Sequence, residues 1–310
     1  MGMCFRILGS GSTGNCALLL TEGARILVDA GFTIRRLKQL VHEAGEDLER
    51  IDAVFLTHDH GDHSAGIEGL KKYPHIEVYA NAGTVRAVQQ KLSHTPRWKV
   101  FETGARFAFR DLEVESFPIP HDAQEPVGYT FTHGGEQGGG GGHDDVGACD
   151  AGGGDASVSA ADGFQDDFFN PPPQALAAAA TARESRRRCI AWLSDMGHVP
   201  PHIHERIREV DAVIVEANHC PRLLEADLRR PWPTKQRIAG RHGHLSNELT
   251  RELLESVASP RWQHIVLTHL SRDCNTLDAV ERTFASLRAR LACHFAIVPP
   301  GGGTGLFELR

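Results

Sequence analysis

The chain has 310 residues, 41% hydrophobic and 24% charged, an ordinary balance for a soluble protein and enough for a sizeable buried core. Its formal net charge is −7, but residues 134–187 carry nine acids against three arginines, which is −6, so the rest is near −1 and no partner is excluded by charge, nucleic acid included. Seven scattered cysteines without a CxxC pair argue against a disulfide framework, and no apolar run reaches membrane-spanning length. The first residues lack a basic segment followed by a long apolar core, so the expected compartment is the cytoplasm.

In chain order, "CFRILGS" and "CALLLTE" read as strands flanking "GSTGN", a turn-rich loop. "ARILVDAG" is an apolar strand ending at Asp29 and Gly31, and "FTIRRLKQLVHEAG" has helical spacing at Ile34, Leu37, Leu40 and Val41. "IDAVFLT" is a buried strand that delivers the chain into His58, and a helix is predicted from about Ser64 to Lys72. Strand "HIEVYA", helix "AGTVRAVQQKL" and strands around Val100, Phe107, Val114 and Tyr129 follow. Residues 134–187 differ in kind. Eleven glycines fall between 134 and 154, and few large apolar groups offset the ordering entropy, so this segment reads as a low-complexity, disordered insertion. Order resumes with strands "CIAWLSDMG" and "DAVIVEANHC", helix "LSNELTRELLESV", strand "QHIVLTHLS", helix "NTLDAVERTFASLRARL" and a last strand "HFAIVPP". Strands alternating with helices predict sheets covered by helices, an α/β layered architecture.

Several of these strands end in a side chain that can bind metal: Asp29, His58, Asp195, Glu216, His219 and His269. In layered α/β folds such ends open into a common crevice. Within "THDHGDH", His58 and His60 are two apart and can reach one ion, whereas Asp62 and His63 fit a second; small Gly61 lets the loop curl. Imidazole and carboxylate suit zinc, manganese or iron. His121 in "PHDA", Asp195 and His269 are the available further ligands, although each alone would more often be a hydrogen-bonded structural residue.

"VDAG", "THDHGDH", "PHDA", "LSDMG" and "LTHLS" occur in the order seen in the metallo-β-lactamase superfamily, which the chain resembles over nearly its whole length apart from the insertion. "GSGSTGNC", "PHDAQEPVGY", "VEANHC", "GRHGHLSNE" and "LTHLSRDCN" make it most similar to the YycJ (WalJ) type of exonuclease-like proteins, and more distantly to ribonuclease Z. Cys220 and Cys274 stand where that pattern leads one to expect an acid and an asparagine. The resemblance implies a single-domain, four-layer αββα sandwich spanning residues 1–310, with 134–187 inserted in it. It implies His58, His60 and His121 on one divalent ion, Asp62, His63 and His269 on the other, Asp195 bridging, and Asp29 orienting the histidine loop.

Two ions roughly 4 Å apart can share a hydroxide that attacks a phosphodiester. His244 in "GHLSN" is the candidate to protonate the leaving oxygen or bind the phosphate, with capping of the following helix as its structural alternative and Ser246 as another cap. Glu216 and His219 are placed to orient His244 or touch substrate. Ser10, Ser12 and Asn15 are possible phosphate contacts, a plain turn being the alternative. The resulting expectation is a phosphodiesterase with two divalent ions, zinc or manganese, acting as an exonuclease on DNA. A hydrolase of thioesters or lactones on the same fold is the alternative. The oligomeric state is left open.

Overall fold

The computed structural model describes residues 2–134 and 187–310. One sheet is built from β1 (Cys4–Gly9), β2 (Cys16–Leu20), β3 (Arg25–Val28), β4 (Ala53–Phe55), β5 (Glu77–Asn81) and β6 (Arg97–Phe101), in that spatial order. The other holds β7 (Arg106–Phe109), β8 (Leu112–Pro118), β9 (Val127–His133), β10 (Arg188–Leu193), β11 (Ala212–Glu216), β12 (His264–Thr268) and β13 (His294–Ile297). A final strand, β14 (Phe307–Glu308), returns to the outer edge of β1. In each sheet one half is antiparallel and the other, β3 to β6 or β10 to β13, is parallel.

Both faces of these strands are apolar because each faces a different core. Ile26 and Val28 of β3 meet Ile214 of β11, Tyr129 and Phe131 in the cluster between the sheets. Leu27 points the other way, against Leu37, Leu40 and Val41 of α1 (Ile34–Glu43). The outer helices α2 (Gly61–Ser64) and α3 (Ala82–Gln89) belong to the first half of the chain. In the second half lie α4 (Pro201–Arg208), α5 (Pro221–Ala226), α6 (Trp232–Ile238), α7 (Asn247–Val257) and α8 (Leu277–Arg290). Val213 and Val215 of β11 pack toward Leu253, Leu254, Val280 and Phe284 of α7 and α8. Three apolar clusters separated by two sheets make the four-layer αββα sandwich expected.

Three local expectations are corrected. The helix predicted from Ser64 to Lys72 starts earlier, at Gly61, and continues as a separate 3₁₀ turn over Ile67–Lys72, so the metal-capable motif itself begins the helix. Gly61 has open space where a Cβ would stand and needs no special conformation; the glycine that sterics demand is Gly31, whose Cβ would lie 1.7 Å from the Asp62 carbonyl oxygen. The last strand is β14 rather than "HFAIVPP", because the C-terminal residues pair with the edge of β1. The segment read as a disordered insertion, 134–187, lies outside the described residues except for its two end positions. Among the described residues no helix is long and apolar enough to cross a membrane.

Candidate metal centre

The parallel strands of both sheets deliver their C-terminal ends to one edge of the sandwich. Asp29 follows β3, the His58 loop follows β4, Asp195 follows β10, Glu216 ends β11 and His269 follows β12. Asp29, Asp195 and His269 turn off their strands in the left-handed region, with φ of 60°, 54° and 53°. Asp and His tolerate that conformation better than most side chains, so the sharp exits fall on residues that also carry chemistry.

Two groups form there. His58, His60 and His121 place one nitrogen each within 4.8 Å of one another, and so do Asp62, His63, Asp195 and His269 with one ligand atom each. Asp195 Oδ2 lies between them, 3.3 Å from His58 Nε2, 2.9 Å from His63 Nε2 and 3.9 Å from His121 Nε2. Asp62 Oδ2 is 3.5 Å from His269 Nε2.

The outer nitrogens of these rings show which inner nitrogens carry a lone pair. His121 Nδ1 donates to the Gly243 carbonyl at 2.9 Å, and His60 Nε2 donates to the Asp122 carbonyl at 3.2 Å. His63 Nδ1 donates to Asp29 Oδ2 at 2.8 Å. Thr57 Oγ1 donates to Asp29 and therefore accepts from His58 Nδ1 at 3.0 Å. Lone pairs on His121 Nε2 and His60 Nδ1 then face each other at 3.3 Å. His58 Nε2 and His269 Nε2 are buried without any hydrogen-bond partner. Bare nitrogens and carboxylates this close repel unless cations or protons lie among them. The donor set thus fits divalent ions, and second contacts of the kind seen at Asp29 and Gly243 hold such ligands in register.

Without ions, protons take that place. Burial disfavours the charged forms of His63 and His269, but the surrounding carboxylates together outweigh it, Asp195 with Asp29 at His63 and Asp195 with Asp62 and Glu216 at His269, and both are held well above the usual imidazole range. Burial, seconded by the charge on His63, pushes His58 well below that range. Burial would raise Asp195, yet His269 and His63 hold it well below an ordinary carboxyl.

A third group, Asp195, Glu216, His244 and His269, is hydrogen-bonded differently. Glu216 Oε1 accepts from the backbone N–H of Met196 at 2.6 Å and of Leu245 at 3.0 Å. Its Oε2 accepts from His244 Nδ1 at 3.0 Å, which aims the other nitrogen of His244 away from Glu216. Burial opposes the charge on His244, but Glu216 raises its pKa. Glu216 itself sits at about 2: burial works against it and His244 lowers it. Ser246, not His244, caps α7, its Oγ accepting from Leu249 N–H at 3.2 Å. His219 is buried beside this group, its pKa lowered to about 4 by burial, with no hydrogen bond on Nδ1.

The N-terminal loop sits differently from a free phosphate cradle. The Asn15 amide nitrogen lies 3.0 Å from His63 Nε2 and its oxygen accepts from Gly11 N–H, while Ser10 Oγ accepts from His269 N–H at 2.7 Å. Both side chains brace the ligand loops, and only exposed Ser12 reaches the cleft. Asp59, the remaining acid of the motif, accepts from Gln124 N–H at 2.8 Å and so ties the His58 loop to the segment carrying His121.

The cleft over the centre is about 260 Å³ and is lined by His60, Asp62, Asp195, His244 and His269. Arg230, Arg237, Asn218, Asp122 and Ser271 also line it, none of them singled out by the sequence beyond the two basic stretches "RLLEADLRR" and "KQRIAGRHGH". Arg237 pairs with Asp122 at 3.2 Å, and Arg230 with Asp273 at 2.9 Å.

Residues 24–139 match the model of the β-lactamase superfamily domain. The chain is 28% identical to exodeoxyribonuclease YycJ of Bacillus anthracis, over 89% of this chain and 85% of that protein. It is 27% identical to exodeoxyribonuclease WalJ of Streptococcus pneumoniae, over 94% of this chain and 90% of that one. Human tRNase Z, short form, superposes with a TM-score of 0.56 at 16% identity, over 97% of this chain and 98% of that chain. Residues 24–139 thus carry a β-lactamase superfamily domain, the chain is related to the YycJ and WalJ exonucleases over most of its length, and metal-dependent hydrolysis is the chemistry that this likeness supports.

Proposed function

We propose that the chain is a two-metal phosphodiesterase that releases nucleotides from the ends of DNA. The observation that carries this reading is His244, fixed by Glu216 and opening onto the same cleft as the ligand cluster, with Arg230 and Arg237 on its walls. The names of the two relatives, exodeoxyribonucleases, support DNA as the substrate and accord with the cytoplasmic setting expected from the sequence.

His58, His60 and His121 would hold one ion and Asp62, His63 and His269 the other, with Asp195 shared. Bound there, a pair of divalent ions supplies a nucleophile at neutral pH and neutralises charge on the phosphate. The chain's own groups do the rest. Arg230 and Arg237 hold phosphate oxygens at the mouth. His244 delivers a proton from the nitrogen opposite Glu216 to the leaving oxygen, and Glu216 keeps that ring protonated and correctly turned.

The test is nucleotide release from end-labelled DNA and RNA with manganese or zinc, beside a panel of thioesters and lactones. Metal-dependent release from DNA is expected, and Asp62→Ala or Asp195→Ala should abolish it. Ester turnover without nucleotide release would instead establish the small-molecule reading. His244→Ala should keep the metal content of the native protein while kcat falls by about 100-fold or more; loss of metal in that variant would assign His244 to the ligands.

A further inference from the structure

α6 separates two cavities. Arg237 and Ile238 line the cleft over the metal-ligand cluster, whereas Trp232, Lys235, Gln236 and Ala239 of the same stretch line a second pocket of about 370 Å³. His244 belongs to both, so the two spaces meet at the residue beside the reacting phosphate. The second pocket is mainly apolar, walled by Pro221, Leu224 and Leu249 as well as Trp232. Trp232 is 63% exposed and Leu249 42%, which is unusual for such large apolar side chains. On the inner wall stands His219, 3% exposed, whose Nδ1 has no hydrogen-bond partner.

From this we infer that the pocket receives the nucleobase adjoining the scissile phosphate, an inference that rests on the phosphodiesterase reading above. A volume of about 370 Å³ is at the small end for ligand sites and admits a single base with its sugar, not a stacked pair. An indole face at the entrance suits stacking against any base, and walls whose exposed surface is mostly apolar favour fit over sequence readout, with Glu225, Gln236 and Ser246 the further polar groups among the lining residues. Lys235, whose Nζ donates to the Glu225 carbonyl at 2.6 Å, adds a positive charge to the wall for a neighbouring phosphate. The base can enter only after leaving its own stack, so ends that fray are cut more readily than ends held closed.

The experiment compares two duplexes with the full chain and manganese, one ending in a mismatched pair and the other identical but abasic at that end nucleotide. Both ends are unpaired and carry the same phosphates, so only the base differs. The native protein should show a KM about 10-fold higher for the abasic end, the size that loss of one stacked base produces. Trp232→Ala, at an exposed position, should raise KM on the mismatched end to the abasic value and erase the difference. Equal KM values in the native protein, or undiminished discrimination in Trp232→Ala, would overturn the inference and leave the nuclease reading standing. No nucleotide release from either duplex would overturn the nuclease reading and this inference with it.

Discussion

Asp29 does not line the cleft, yet the backbone N–H and hydroxyl of Thr57 and the Nδ1–H of His63 all end on its carboxylate. It sets the His63 tautomer and, through Thr57, that of His58, so one buried acid faces both halves of the centre. Asp29→Asn keeps a residue type that accepts the left-handed backbone at φ 60°, removes the charge and puts a donor amide where one of the two acceptor oxygens stood. Metal binding should weaken by about 10- to 100-fold, read by titration against a competing chelator. An unchanged affinity would show that the charge of Asp29 has no part in holding the ligands. His58, His60, Asp62 and His63 were readable in the sequence because adjacency along the chain puts them together in space. Thr57 was not, because a threonine before a histidine motif has no spacing of its own to mark it. Arg230 and Arg237 were visible only as basic stretches, since solvated helix faces carry the same composition.

Among the elements, strands and long helices follow from apolar period, and short ones do not. α8 repeats its buried positions at Val280, Phe284 and Leu287, and Thr276 caps it by accepting from Ala279 N–H at 3.1 Å. Thr276 is exposed and outside the cleft, so Thr276→Ala isolates the cap. Urea unfolding should report a loss of about 1 kcal/mol with metal content unchanged. A loss below a few tenths would mean that packing of the α8 face alone sets its N-terminus. α6 is the opposite case. None of its residues is buried, so it has no apolar stripe to find, and its position comes from polar ties such as Lys235 Nζ to the Glu225 carbonyl at 2.6 Å. The helix that partitions the two cavities is therefore the element least legible from sequence.

At the scale of the whole molecule, the two sheets are alike in plan, and the centre lies where the parallel halves of both end. That plan was legible because chemistry-bearing residues recur at strand ends, while the pairing of β14 with β1 depends on a contact across nearly the full chain length. β9 and β10 are antiparallel neighbours, with His133 directly opposite Arg188. The stretch of 52 residues from 135 to 186 is thus flanked on both sides by one rung of that ladder. Joining Gly134 to Arg187 through Asn-Gly makes a hairpin-length connection. The shortened chain should fold with the same metal affinity, and its stability in urea should rise by up to about 2 kcal/mol if the removed stretch acts as loop entropy alone. Loss of folding would show that the segment supplies contacts the rest of the chain needs. The same rung makes this the fold's natural splice point. An epitope tag or guest domain joined between Gly134 and Arg187 should therefore leave the β9–β10 register unchanged.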